Sequence, residues 1–373
     1  MVKARIGHLT SVHTRRDIRI YLKECRSLAR AGYGVSLIVA DGKGDETTED
    51  GIAIYDVGSP KGRIDRMRRV TRRVFEKARE LDLDLYHLHD PELIPVGLRL
   101  ERLGKRVVFD AHEDVPKQLL GKPYLNKAAR SMLSWMFAGY ETWACSRFDA
   151  IVAATPAIRG KFLRINPRSI DINNYPLWGE LVADESKQAK RRQVCYVGGI
   201  TAIRGIRELV MAMALVRSEA RLQLCGQFAE ADVEREVKAL PGWARVDELG
   251  LVDRVGVRDV LAQCAAGIVT FHAFPNHVDA QPNKMFEYMS AGVPVIASDF
   301  PLWREIVTES GCGICVDPMS PASIAEAIDL LVDDEQMVRE MGERGRTAVR
   351  DRYNWSAEER KLLELYRDLL RQE

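Results

Sequence analysis

The length, composition and charge of the chain are those of an ordinary globular protein. It has 373 residues, 46% of them hydrophobic and 29% charged, and this length favours two domains. Lys and Arg number 55 against 54 Asp and Glu, so the net charge of +1 gives no reason to expect a nucleic-acid partner.

The first half of the chain alternates short apolar runs with longer amphipathic stretches, the pattern of βαβ units around a parallel sheet. Strands are predicted near 4–9, 34–40, 52–57, 84–89, 106–111, 149–154 and 169–173. Helices are predicted between them, near 15–31, 62–81, 91–103, 124–147 and 156–163. The polar segment 177–192 has no clear period and is predicted to be a linker between domains.

The same alternation restarts after the linker. Strands are predicted near 193–198, 220–226, 266–271, 293–297 and 313–316, and helices near 203–217, 229–239, 256–264, 283–291, 301–308 and 321–331. A helical tail, roughly 335–370, closes the chain. The prediction is two open α/β sheets, with domains at 1–176 and 193–354 and with residues 355–373 packing back on the first domain.

Residues 282–298, Pro-Asn-Lys-Met-Phe-Glu-Tyr-Met-Ser-Ala-Gly-Val-Pro-Val-Ile-Ala-Ser, form the most specific motif. Asn283 is expected to begin a helix whose unpaired N–H groups favour a nearby anion. Glu287 follows one turn later, where its carboxylate can accept two hydrogen bonds from a ribose diol. The alternative is a surface Glu balanced by Lys284. The motif resembles the nucleotide-binding core of the retaining glycosyltransferases of family 4.

The resemblance implies a GT-B architecture, in which two Rossmann-like domains face each other across a cleft, and transfer of a sugar from a nucleotide diphosphate. Similar enzymes carry a pair of acidic residues, and the second of the pair, here Glu287, holds the ribose. The first falls at Asp279, where the family usually has Glu. The resemblance assigns Asp279 to the transferred sugar, as a catalytic residue; the alternative is a loop Asp that forms a turn.

The loop Tyr196-Val-Gly-Gly-Ile-Thr-Ala-Ile-Arg-Gly joins a predicted strand to a helix. Gly198 and Gly199 let the backbone approach a diphosphate, and the helix that follows attracts its charge. Arg204 can bind phosphate oxygens bidentately and is expected to stabilise the leaving diphosphate. The family usually has a second cation where Gly199 stands, and Lys284 is expected to compensate. The alternative is a tight turn with a surface Arg.

In the first half, Val-Val-Phe-Asp-Ala-His-Glu-Asp-Val-Pro (107–116) ends a predicted strand in a polar cluster, where open α/β sheets bind ligands. The resemblance places His112 at the donor sugar, close to the reaction centre, with Glu113 on the acceptor side. Asp90 and Glu92 either line the acceptor side or cap the helix that starts at Pro91. From the first loop, His13, Asp17 and Arg19 are further acceptor candidates.

No metal or other cofactor is expected. One class of glycosyltransferase holds a divalent ion with Asp-x-Asp after a strand, but Asp82-Leu-Asp84 is predicted to join a helix to a strand. The seven scattered cysteines favour small buried side chains in a reducing compartment. Without a signal sequence or a long apolar run, the expected location is the cytoplasm.

Residues 61–79 hold nine basic and two acidic side chains, with apolar residues at helical spacing. This segment either rests on anionic lipid, with residues 131–137 as apolar anchorage, or simply covers its own sheet. Lipid contact would fit a glycan or polyprenyl-linked acceptor, as in surface-polysaccharide assembly. UDP is the expected nucleotide, from the family's commonest usage, with GDP as the alternative.

Three other functions stay open at this stage. A nucleotide-sugar 2-epimerase or a phosphorylase shares the fold. A dinucleotide-dependent oxidoreductase is disfavoured, because Ile-Gly-His-Leu-Thr-Ser stands where Gly-x-Gly-x-x-Gly would follow the first strand. A non-catalytic relative is conceivable, because Asp279 and Gly199 depart from the family pattern.

Overall fold

The chain divides into two compact units in the computed structural model, which describes residues 3–121, 126–182 and 192–371. Residues 1–174 and 357–373 form the first unit, and residues 175–356 form the second. The first unit thus ends at residue 174, two residues before the domain end predicted at 176. The chain re-enters the first unit at residue 357, two residues after the predicted start of the C-terminal segment at 355. Most of the predicted linker, residues 183–191, lies outside the described residues.

The first unit is built on an eight-stranded sheet with the order β3-β4-β2-β1-β5-β6-β7-β8. Among the described strand pairs of this sheet, only β3 and β4 are antiparallel. The strands are β1 (Arg5–Leu9), β2 (Gly34–Val39), β3 (Glu46–Thr47), β4 (Ala53–Asp56), β5 (Leu85–Leu88), β6 (Arg106–Ala111), β7 (Ala150–Ala153) and β8 (Ser169–Asp171). Strand β1 lies between β2 and β5, so the direction of winding reverses between β1 and β5. Ligands of open α/β sheets bind outside the carboxyl ends of the strands at such a point.

The helices of this unit alternate with its strands along the chain. A π-helical segment (Ile18–Cys25) continues directly into α1 (Arg26–Arg30). Helix α2 (Arg63–Asp65), a second π-helical segment (Arg66–Val70) and α3 (Thr71–Leu81) follow one another without a break. A 3₁₀ turn (Pro91–Leu93) precedes α4 (Ile94–Arg102), followed by α5 (Val115–Leu120), α6 (Lys127–Cys145) and α7 (Pro156–Phe162). Helices α3, α4 and α6 pack with one sheet face into a single core.

The second unit is built on a six-stranded parallel sheet with the order β11-β10-β9-β12-β13-β14. The strands are β9 (Gln193–Val197), β10 (Arg221–Cys225), β11 (Val246–Gly250), β12 (Ala266–Val269), β13 (Val295–Ser298) and β14 (Gly313–Val316). Two apolar clusters fill the space between the sheet and its helices. Winding reverses between β9 and β12, so this unit also has a switch point.

Its helices begin with a 3₁₀ turn (Ala202–Arg204) and α8 (Ile206–Leu215), then α9 (Ala231–Lys238) and a second 3₁₀ turn (Pro241–Arg245). They continue with α10 (Arg254–Gln263), α11 (Pro275–Val278), α12 (Asn283–Ala291), α13 (Pro301–Ser310), α14 (Pro321–Asp333) and α15 (Glu335–Asp351). The last helix, α16 (Trp355–Leu370), begins in this unit and lies mostly in the first.

The predicted parallel α/β architecture is therefore confirmed, with five local corrections. Strands β3 and β11 and helices α5 and α11 were not predicted. The predicted single tail helix over 335–370 is wrong, because the chain breaks between α15 and α16. The Asn354 side chain donates to the carbonyls of Val349 and Arg350 and so ends α15.

Residues of α16 from 357 onward bond to the first unit's own strands. Glu358 accepts from the backbone N–H of Asn173 at 2.8 Å, and Lys361 pairs with Asp171 at 3.1 Å. Within the described ranges, no helix combines the length and apolar character needed to cross a bilayer.

Candidate functional site

The carboxyl ends of β1, β5 and β6 meet in a polar cluster of the first unit. His112 follows β6, and its Nε2 lies 2.8 Å from Oδ2 of Asp110. The centres of the His13 and His112 rings are 5.3 Å apart. Nε2 of His13 lies 3.5 Å from Oδ1 of Asp90. Asp17 contacts Nδ1 of His13 at 3.1 Å. The structure thus brings together His112 and three of the predicted acceptor-side residues.

Asp17 and Asp90 have different local roles. Oδ1 of Asp17 accepts from the N–H groups of Arg19 and Ile20, so Asp17 caps the first helical turn. The predicted capping role of Asp90 is wrong, because it makes no capping bond to the 3₁₀ turn it precedes. Its Oδ2 instead accepts from Thr10 and Ser11 at 3.0 and 2.6 Å, which fixes the loop after β1.

One predicted acceptor contact falls elsewhere, and the contact predicted for Glu113 stays a prediction. Arg19 is buried, and its guanidinium binds both carboxylate oxygens of Asp110 at 2.8 Å and the carbonyl of Ile172 at 2.7 Å. It is therefore not available to an acceptor, because its donors are already used inside the unit. Glu113 is exposed and hydrogen-bonds to Gln118.

Asp110 is the centre of this cluster and was missed from sequence. Burial would raise the pKa of its carboxyl, but the Arg19 guanidinium and the His112 ring hold that pKa well below its ordinary value. The charged carboxylate therefore accepts from Arg19, from His112 and, at 3.2 Å, from Nδ1 of His89. A fixed carboxylate of this kind orients the imidazole that it binds.

Behind Asp110 lies a buried group of three histidines and Glu24. Nδ1 of His8 lies 2.8 Å from Nε2 of His89, and Nδ1 of His87 lies 2.7 Å from the Tyr366 hydroxyl. Burial lowers the pKa of all three histidines and raises that of Glu24. Their nitrogens are close enough to Glu24 to hold a metal ion. Hydrogen bonds engage most of the histidine nitrogens, whereas the two carboxyl oxygens of Glu24 have no hydrogen-bond partner among the described residues. We therefore interpret the three histidines as a neutral hydrogen-bonded network.

In the second unit, the glycine loop lies at the carboxyl end of β9. Gly198 has φ +113°, and a Cβ there would stand 3.6 Å from Nζ of Lys284. Gly205 has φ +76°, and its Cβ would lie 1.9 Å from the carbonyl oxygen of Thr270, so only glycine fits. Arg204 donates to the carbonyl of Gly199 at 3.1 Å. The predicted strand–loop–helix is confirmed, and it brings Arg204 and Lys284 to the same loop.

Lys284 has an unusual environment for a lysine. It is buried, Nζ lies 3.5 Å from the centre of the Tyr196 ring, and no hydrogen-bond partner of Nζ is found among the described residues. Burial and the nearby Arg204 charge lower its pKa well below the ordinary value. A buried, unpaired ammonium is costly, which makes it a candidate binder of an anion.

Helix α12 begins at Asn283, as predicted, and its start has no side-chain cap. Asn283 and Asp279 are exposed, and Asp279 directly follows α11. Glu287 lies one turn into α12, but Lys284 does not balance its charge. Instead, Arg254 donates to Oε1 of Glu287 at 2.7 Å and to Glu180 at 2.8 Å.

A pocket of about 380 Å³ opens beside the glycine loop, at the ends of β9, β10 and β11. Gln227 contributes to its lining, which otherwise is glycine and apolar side chains, among them Gly198, Gly226, Phe228, Leu251, Val252 and Val257. It was not predicted, because its residues come from four separate segments. Asp82-Leu-Asp84, by contrast, joins α3 to β5 as expected, with Asp82 paired to Lys105.

Family models match both halves of the chain. Residues 180–348 match "Glycosyl transferases group 1", and residues 19–172 match "Glycosyltransferase Family 4". The α-maltose-1-phosphate synthase of Mycobacterium tuberculosis is 26% identical over 262 residues, which cover 61% of this chain and 67% of that enzyme.

Two solved structures share the whole fold. Sucrose-phosphate synthase from Thermosynechococcus elongatus has a TM-score of 0.79 at 20% identity, covering 98% of this chain and 99% of that one. Anabaena HepE in complex with UDP-glucose has a TM-score of 0.75 at 16% identity, covering 98% and 100%. The fold is therefore GT-B.

Proposed function

The chain belongs to the group 1 glycosyltransferases of family 4, which use nucleotide sugars, and on that premise we propose the finer activity. It transfers the sugar of a UDP-sugar to a glycan or polyprenyl-linked acceptor, with retention of anomeric configuration and without a metal ion. UDP is favoured because Anabaena HepE, of the same fold, was solved with UDP-glucose. The pathway we propose is surface-polysaccharide or glycoconjugate synthesis at the inner face of the cytoplasmic membrane.

The buried ammonium of Lys284 is the observation that carries this proposal. It lies beside Gly198 without a hydrogen-bond partner among the described residues, and Arg204 reaches the same loop. A diphosphate on the glycine loop would meet both cations and the uncapped start of α12. The same charges would stabilise the diphosphate as it leaves, which is the role that a metal ion has in other glycosyltransferases.

The nucleoside has a site next to these cations. The apolar pocket beside the glycine loop has room for a base, and Phe228 and Leu251 offer it apolar contact. Arg254 donates to Oε1 of Glu287, so the carboxyl group is fixed where it would accept hydrogen bonds from the ribose hydroxyls. Arg254 is thus a positioning residue for the ribose ligand.

The remaining assignments concern the donor sugar and the acceptor. Asp110 holds His112 through Nε2, which leaves the other ring nitrogen for the donor sugar. His13, Asp17 and Asp90 lie around His112 on the acceptor side. Asp279 is assigned to the sugar by resemblance to the family, in which a leaving-phosphate oxygen is usually proposed to take the proton of the incoming hydroxyl.

A thermal-shift panel of UDP-, GDP-, ADP- and dTDP-sugars, each with magnesium and with EDTA, tests the donor assignment. UDP-sugars are expected to raise the melting temperature equally in both conditions. If the sugars of another nucleotide stabilise the protein instead, that nucleotide is the donor's. If stabilisation requires magnesium, the metal-free mechanism is wrong. When the protein is incubated with the UDP-sugar and no acceptor, the UDP-sugar should stay unchanged. Epimerisation of the sugar under these conditions would identify a 2-epimerase.

A further inference from the structure

Helix α6 of the first unit presents an apolar stripe to solvent. Trp135, Met132, Met136 and Trp143 are 77%, 57%, 55% and 43% exposed. Their spacing places them on one side of the helix, while Glu141, Ala144 and Cys145 are buried on the other. A helix on a globular protein normally buries its apolar face, so this arrangement marks an interaction surface.

The charge that borders the stripe is basic. The Arg147 guanidinium, just after α6, lies 4.2 Å from the centre of the Trp143 ring, and the one acidic residue of α6, Glu141, is buried and paired with Lys161 at 2.6 Å. Trp and Met combined with cations at the edge are suited to the boundary between lipid headgroups and acyl chains.

A second surface of the same chemistry lies on the same face of the sheet. Val70 and Val74, from the segment 61–79, share one apolar core with Ala144 and Cys145 of α6. The segment is exposed at Ile64 and Met67, beside the cationic side chains of Arg63, Arg68 and Arg69. One side of the first unit therefore carries two helices that expose apolar and basic side chains together.

We propose that this side, the α6 stripe with the segment 61–79, lies on an anionic bilayer, with Trp135 and Trp143 in the interfacial zone. The inference deepens the proposed function, because it rests on a lipid-linked acceptor. In this proposal the apolar side chains of α6 insert into the bilayer, and the arginines of the segment 61–79 are attracted to the anionic headgroups. Binding to anionic vesicles therefore depends on both, whereas only the arginine contribution falls with salt.

Co-sedimentation of the full-length protein with vesicles of phosphatidylcholine, with and without phosphatidylglycerol, tests this. Wild-type protein should bind the anionic vesicles and release partly at high salt. Trp135→Gln should weaken binding about tenfold or more, because a large apolar side chain no longer leaves water. Arg68→Gln with Arg69→Gln should weaken it about tenfold or more on anionic vesicles only.

Trp178→Gln is the matched control, because Trp178 is an exposed tryptophan of the second unit. It should bind vesicles like the wild type. Equal binding by Trp135→Gln and wild type, or no binding at all, would overturn the proposal. Concentration-dependent dimers that Trp135→Gln abolishes would assign the stripe to a second copy instead.

Measurements without vesicles separate this inference from the proposed function. UDP binding and transfer to a water-soluble acceptor should be the same for Trp135→Gln and wild type, which also shows that the variant is folded. If the wild type does not bind UDP, the proposed function is wrong, but the vesicle result is unaffected. If the wild type transfers sugar but does not bind vesicles, the membrane inference is wrong, but the proposed function is unaffected.

Discussion

The two units differ in how the ionisable side chains near their switch points are partnered. In the first unit, Asp110 is saturated by Arg19, His89 and His112 inside the fold. In the second, Nζ of Lys284 is buried and has no hydrogen-bond partner within the described parts of the chain. A paired network fixes geometry, whereas an unpaired buried cation is stabilised by an anionic ligand. This contrast is the basis of our proposal that the first unit orients reacting groups and the second binds the diphosphate.

The largest effect that separates these roles is expected from His112→Ala. Turnover should fall about 10²- to 10⁴-fold, the range for loss of a positioned acid–base or polar group, because the imidazole held by Asp110 is gone. UDP affinity should stay unchanged, because the proposed UDP contacts lie in the second unit. Initial rates and calorimetry on the same preparation measure both. A parallel loss of UDP affinity would break the division of roles.

Breaking the paired network should cost stability. Arg19→Met leaves the buried Asp110 carboxylate without its guanidinium, and the unfolding free energy is expected to fall by about 3–5 kcal/mol. Arg207→Met removes an equally bidentate but exposed pair with Glu236 and should cost at most about 1 kcal/mol. Urea unfolding measures both. Similar losses in the two variants would show that burial does not decide the strength of these pairs.

The unpaired cation predicts a pH dependence of donor binding. The pKa of Lys284 is lowered by burial and by Arg204, and a bound diphosphate would favour the ammonium and raise it again. Binding should therefore take up protons at pH values between the two pKa values. Affinity should fall as pH rises through that window, by at most about tenfold per pH unit for one proton.

Calorimetry in buffers of different ionisation enthalpy measures this proton uptake. Lys284→Arg is the control, because a guanidinium stays charged in both states and should bind UDP without uptake at this position. Proton-neutral binding by the wild type would contradict the assignment.

Local patterns accounted for most elements and for part of each site. Helix α12 begins at Asn283 and ends at Gly292 with φ +70°, because a glycine in the left-handed conformation commonly ends a helix. Helix α5 was missed although Asp114 and Pro116 mark its start. Strand β11, Val-Asp-Glu-Leu-Gly, was missed because it is a short edge strand with two acidic residues and no alternation.

Side-chain partners distant in sequence could not be predicted. Arg19 and Asp110 are 91 residues apart, and Arg254 and Glu287 are 33 apart. Only the strand order brings the ends of β1 and β6 near each other, and a single sequence does not specify which cation faces which carboxylate. For the same reason Arg19 was assigned to an acceptor, although it is a buried partner of Asp110.

UDP titration of wild type and Lys284→Met, with the melting temperature of each free protein, tests the central claim most directly. We predict that Lys284→Met binds UDP about 10- to 100-fold more weakly, since a charge-assisted hydrogen bond contributes about 1.5–3 kcal/mol. Its melting temperature should equal or exceed that of wild type, because a buried polar group without a hydrogen-bond partner is removed. Arg339→Met, which removes an exposed cation of α15, should change neither. Unchanged UDP affinity in Lys284→Met would contradict the account.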